Sequence, residues 1–237
     1  MEKKSIASAG LLGGLVGAGL VLLGVVLGSA ALDIKEYERT VTVKGLSEQE
    51  YPADIVIWPI QFAGADNNLE KLYDTLDEST QKIDAFLVKN GIPADDITVS
   101  SPSVTDKSAQ SWGDDNATFR FSGQQTVTVY SKDIAAVRAV MGKLSELGKQ
   151  GIVFTGGYEY QTEYLFTRLN EIKPAMVEEA TRNAREVARK FAEDSDSKLG
   201  KIKRASQGQF VITARDKNNP HIKKVRVVST VEYYLSD

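Results

Sequence analysis

A stretch of 27 residues from Ile6 to Leu32 carries no charge and follows directly on Lys3 and Lys4. A hydrocarbon layer about 30 Å thick is spanned by a helix of ~20 apolar residues, so this stretch is long enough to cross with some tilt. A cleavable export signal shares the basic start but has an apolar core of about 7–15 residues before small residues at the cut. Here the core from Leu11 to Leu27 is 17 residues long, while Gly28-Ser29-Ala30-Ala31 would suit a cleavage site. The length favours an uncleaved anchor over residues 1–32, with a removed signal as the alternative. In either case Lys3 and Lys4 stay on the cytoplasmic side, and residues 33–39 link to a body, 40–237, on the outer side.

The membrane stretch is rich in glycine. Gly10/Gly14, Gly13/Gly17 and Gly24/Gly28 each have the small-xxx-small spacing that lets helices approach closely in lipid. Chance spacing in a Gly/Ala/Leu-rich segment is the plain alternative.

The 205 residues after the span suit one large domain or two small ones, with enough length for a buried core. The chain has no cysteine, which excludes disulfides, thiol catalysis and thiolate metal sites. Past residue 32 there are 31 acidic and 27 basic side chains, a balance that offers nothing to a nucleic-acid backbone.

Periodicity divides the body into strands and helices. Thr40 to Leu46 alternates as a half-buried strand, and Asp54 to Phe62 is a second, with Pro59 marking an edge or a bulge. Asn67 with Glu70 forms a capping box for a helix whose apolar stripe is Leu69, Leu72, Tyr73, Leu76, Ile83, Phe86 and Leu87. Gly91 and Pro93 end it. Ile97–Val104 and Thr118–Tyr130 are strands, and Asp133 opens a helix that stops at Gly148. Short strands at Ile152–Phe154 and Tyr158–Phe166 precede the longest helix.

Pro174 stands near the start of that helix. Val177, Ala180, Ala184, Val187, Ala188 and Phe191 form its buried stripe, and Glu178/Arg182, Arg182/Glu186 and Glu186/Lys190 are spaced to pair outside. Strands at Gln209–Ala214 and Val225–Leu235 finish the chain. The order predicts an α+β fold: βαβ-like units with helices packed on mixed, antiparallel-rich sheets, preceded by one transmembrane helix.

Thr40-Val41-Thr42-Val43-Lys44-Gly45 followed by Pro52-Ala53-Asp54-Ile55 resembles the opening of the SIMPL-domain family. Lys89-Asn90-Gly91-Ile92 with Asp96-Ile97-Thr98, Val127-Thr128-Val129 before Asp133, and Lys198-Leu199-Gly200-Lys201-Ile202 resemble later steps in the same order. The resemblance covers about Thr40 to Leu235. It implies a bacterial envelope protein, often exported to the periplasm; with the uncharged run of residues 6–32 read as an anchor, the expectation becomes a single pass in the inner membrane with the C-terminal domain in the periplasm. Ring-like homo-oligomers and an oxidative-stress-defence role go with the family; a scaffolding role and an envelope-protein partner are expectations for this chain itself. The family supplies no catalytic residues to carry over. Two departures stand out: Ala53 separates Pro52 from Asp54, and the uncharged N-terminus is longer than an ordinary export signal.

Candidate chemistry is sparse. His221 is the sole histidine, which removes histidine triads and two-histidine metal sites, and its Asn218-Asn219-Pro220 context reads as a solvated loop. Asp95/Asp96, Asp114/Asp115 and Asp194/Asp196 offer paired carboxylates for acid–base work or calcium, but each pair falls in a turn, where aspartate serves the backbone. Lys198, Lys201, Lys203 and Arg204 follow a helix, where cations complement its C-terminus or meet acidic lipid. Trp112, in a polar loop, is the interaction candidate. The expectation is a non-enzymatic, cofactor-free protein that assembles with itself, the alternative being a periplasmic ligand- or protein-binding sensory module.

Overall fold

The computed structural model describes residues 13–29, 39–109, 118–157 and 160–236. Helix α1 occupies 13–29, and all its residues are exposed, Leu15, Leu20 and Val21 by more than 60%. Among the described residues no helix is long and apolar enough to cross a membrane. After α1 come β1 (Thr40–Pro52), β2 (Ile55–Asp66), α2 (Leu69–Lys89), β3 (Ile97–Val99), β4 (Ser103–Asp106) and β5 (Phe121–Ser131). Then follow α3 (Ile134–Met141), α4 (Ser145–Gly148), β6 (Val153–Phe154), β7 (Glu163–Leu165), α5 (Leu169–Asp194), β8 (Lys198–Gln207), β9 (Val211–Ala214) and β10 (Ile222–Ser236). The fold is α+β. Two compact units share the chain: Met1–Glu48 with Lys173–Val211 and Arg226–Asp237, and Gln49–Ile172 with Ile212–Val225.

The Gln49–Ile172 unit is built on the β2/β5 pair, whose register runs without a break from Val56↔Ser131 to Asp66↔Phe121. Its sheet has the order β3-β5-β2-β6, with β4 on β5 and β7 on β2. All of these pairings are antiparallel. Strands β2 and β3 therefore run parallel with β5 between them, joined through α2. Strands β5 and β6 likewise flank β2, joined through α3 and α4. The βαβ-like expectation is met by two interleaved split βαβ units, and antiparallel pairing replaces the expected mixture.

Pro59 corrects the edge-strand expectation. β2 has neighbours on both sides, yet β7 pairs with Ile55–Ile57 and β6 with Phe62–Ala63, leaving a gap between them. The Gln61 carbonyl accepts from the Thr155 N–H, so residues of this parity turn their backbone groups away from β5. Proline's missing donor thus falls into the gap and costs the ladder nothing.

Helix α2 starts one residue later than the capping box implied. Asn68 is the cap, its side chain accepting from the N–H groups of Glu70 and Lys71. Asn67 instead accepts from the Arg120 N–H. Leu72, Leu76, Ile83, Phe86 and Leu87 are buried against Val56, Trp58, Ile60, Phe62, Val127 and Val129, while Leu69 and Tyr73 are exposed. Gly91 at φ +94 ends the helix, as its sequence position implies. The single strand expected over Ile97–Val104 is two short strands, β3 and β4.

The other unit rests on α5. Its buried stripe is Met176, Ala180, Ala184, Ala188 and Ala192, whereas Val187 and Phe191, expected inside, are exposed. Helix α5 begins at Leu169, so Pro174 is its sixth residue and leaves the Asn170 carbonyl without its i+4 donor. Opposite the alanines lie Val43, Val231 and Tyr233. The helix comes so close to β1 that a methyl group on Gly45 would run into the backbone of Ala180 and Ala184. Ser47 Oγ donates to Glu179 Oε2 at 2.6 Å and Asn183 Nδ2 to the Leu46 carbonyl at 2.8 Å, pinning the same contact. Gly45→Ala should therefore destabilise this unit by at least ~2 kcal/mol, read as a lower denaturant midpoint at unchanged slope. An unchanged midpoint would show that the strand and helix can separate freely.

Candidate functional site

An α-helix is about 10–12 Å across with its side chains, and neighbouring strands lie about 4.8 Å apart, so one helix covers about two strands. In the α5 unit the sheet runs β1-β10-β8, and α5 packs on β1 and β10. The third strand, β8, is left bare. Its register, Tyr233↔Ile202 and Val231↔Ala205, puts Ile202 and Ala205 on the face of the buried Tyr233 and Val231. Ile202 is nonetheless 49% exposed, and nearly all of β8 is exposed. The step between helix and bare strand is a groove of about 640 Å³, with Arg182, Arg185 and Glu178 from α5, Lys201 and Ile202 from β8, and Tyr233 beneath.

Three cations therefore meet one carboxylate along an apolar floor. Neither Arg182, Arg185 nor Lys201 has a carboxylate oxygen within 4 Å among the described residues. The i,i+4 pairs expected along α5 do not form. Exposed pairs of that kind contribute a few tenths of a kcal/mol, too little to hold Arg182 away from the groove it lines. Tyr233 is 2% exposed, and its hydroxyl has no hydrogen-bond partner.

The basic residues expected at a helix end are on strand β8, where Lys203 Nζ meets Glu232 Oε1 at 3.2 Å. That strand escaped the sequence because it buries nothing in alternation. The signal for the groove was present in the alanines at every fourth position of α5. A stripe of small residues marks close approach to a sheet, and the arginines flanking it then border that sheet.

His221 is half-buried and in contact with Arg138 and Tyr164, more enclosed than its loop suggested. Its ring lies 6.0 Å from that of Tyr164, and Arg138 Nη1 is 3.1 Å from Nε2. A guanidinium can only donate, so Nε2 accepts and the ring proton belongs on Nδ1, which is buried without a partner. The backbone of the same residue accepts from the Ala53 N–H. Burial first, then the charges of Arg138 and Arg215, push the imidazole below its ordinary range. Burial also raises the Tyr164 phenol.

Of the carboxylate pairs, Asp95 and Asp96 form a 3₁₀ turn, while Asp194 ends α5 and Asp196 turns the chain at φ 51. Among the described residues no three His, Asp or Glu side chains are grouped to hold a metal ion. Trp112 and the Asp114/Asp115 pair lie outside the described residues, as does Gly10. Gly13, Gly14, Gly17, Gly24 and Gly28 are on α1 with open space where a Cβ would stand.

A histidine depressed in the folded state makes stability depend on pH in one direction. As pH falls through ~6.5 the unfolded chain gains a proton that the folded chain refuses, so stability present at neutral pH is lost on acidification. Asp216, held down to about 2 by Arg215 and Asn219, loses its contribution in a lower window, from the unfolded carboxylate value of ~3.9 down through about 2. The denaturant midpoint should fall between about pH 7.5 and 5.5, and His221→Gln should flatten that interval. A wild-type profile already flat there would exclude the Arg138–His221 contact in solution.

No curated protein matches the chain. The model of the SIMPL family, described as a protein of unknown function (DUF541), matches residues 41–231, and the chain belongs to that family.

Proposed function

We propose that this is a membrane-anchored, non-enzymatic protein of the bacterial envelope whose periplasmic SIMPL domain assembles with copies of itself, as a scaffold or in protection under stress. The uncharged run of residues 6–32 supports the anchor, and α1 supports it further. A helix with exposed Leu and Val on every side has no partner in water but a suitable solvent in lipid.

The observation that carries self-assembly is the open edge of β8. Among the described strands β8 pairs with β10 alone, and β1 ends the sheet on the other side. Such edges present free N–H and C=O groups to another chain. Edge lysines disfavour pairing of β8 with a second β8, because an antiparallel match sets like charges opposite one another. Joining β8 to β1 of the next copy avoids this and gives a head-to-tail interface, the kind that closes into rings.

The edge can be tested cleanly. The Gly208 N–H donates to the Val228 carbonyl, so residues 206 and 204 also face β10, and Ala205 and Gln207 face outward. Ala205→Pro removes an outward donor and spares the ladder. Light scattering on the detergent-extracted full chain should give a multiple of the 25.9 kDa protomer for wild type and a smaller species for Ala205→Pro at similar thermal stability. A monomeric wild type, or a variant assembled as before, would overturn the edge interface. A reporter fused after Asp237 should be active outside the cytoplasm; cytoplasmic activity would overturn the location.

A further inference from the structure

We infer that the groove between α5 and β8 is a binding site for a small amphipathic anion, a compact carboxylate with an aromatic or branched apolar body. The inference stands apart from self-assembly. Three features of the groove select that class. Its volume of about 640 Å³ lies within the ~300–1,000 Å³ range of small-molecule sites. Its floor is hydrophobic, with Ile202 half-exposed above the buried ring of Tyr233. Its border holds Arg182, Arg185 and Lys201 against Glu178 alone, and the three cations have no ion-pair partner among the described residues.

A plain inorganic anion would leave the apolar floor wet, and a neutral hydrophobe would leave the guanidinium groups unanswered. A carboxylate on an apolar ring satisfies both. Arginine suits this task because its planar fork meets a carboxylate through two parallel N–H donors.

The site forms because the fold supplies one helix to a sheet that needs more cover. Small residues along α5 draw it onto β1 and β10, and that closeness is what strands the face of β8. The cations of α5 then overhang a floor that no other described element of the unit covers.

The test uses the full chain held in amphipol, with 2-naphthoate as probe and calorimetry as readout against an empty-amphipol blank. Saturable binding of one 2-naphthoate per chain is expected. Arg182→Gln/Arg185→Gln should weaken it at least tenfold at unchanged thermal stability, since both side chains are exposed. Lys82→Gln/Lys89→Gln, which removes two cations from α2, should leave it unchanged. Uncharged 2-naphthamide and inorganic phosphate should each bind at least tenfold more weakly. The proposal is overturned by absence of saturable binding, by full affinity in the double arginine variant, or by equal loss in the lysine variant. Equal affinity for naphthamide would reduce the groove to a greasy surface, and equal affinity for phosphate to a charge cluster; either result also overturns it.

Discussion

One contact organises the α5 unit: the backbone of α5 lying almost directly on Gly45. A helix can approach a strand this closely where neither side carries bulk. The sequence arranges that with glycine on β1 and alanine at 180, 184, 188 and 192 on α5. What is gained is contact density over a small area, since alanine removes little surface from water per residue. What is lost is reach. Leucines on the same stripe would hold the helix further out and spread its shadow across three strands. Alanines tuck it over two. The bare face of β8, the groove beside it and the open edge beyond all follow from that choice of small residues.

The Gln49–Ile172 unit is built the other way. Its core is large and varied, with Trp58, Phe62, Phe86 and several leucines interlocked between α2 and the β2/β5 pair. A core of that kind is self-sufficient, and its sheet is covered where it matters. The two units thus divide stability and exposure between them. One buries its chemistry, including a histidine trapped between a guanidinium and a tyrosine ring, while the other leaves cations and strand edge in the open.

Much of this was legible in the sequence, and the failures have physical causes. Helix α2, the Gly91 stop and the alternating β10 were readable because each obeys a single periodicity with its own punctuation. The Asn68 cap was misplaced by one residue because Asn67 and Asn68 are equally competent, and the choice fell to a distant contact, Arg120 reaching Asn67. Val187 and Phe191 were assigned to the core because periodicity cannot say how far a sheet extends beneath a helix. Strand β8 was invisible for the complementary reason: a strand buried on neither face has no pattern to read. His221 looked solvated among asparagines, and the residues that enclose it, Arg138 and Tyr164, lie far off in sequence. The uncharged run of residues 6–32 was the reverse case, a feature of composition that needs no tertiary contact to be read.

The character of the charges bears on what kind of work this chain does. Arginine does not exchange its proton near neutral pH, so Arg182 and Arg185 give the groove fixed rather than titratable charge. The one side chain whose ordinary range lies near neutrality, His221, is kept neutral by burial and by Arg138, with its ring proton shut away from solvent. The open groove thus offers permanent cations, an apolar floor and a single carboxylate, Glu178.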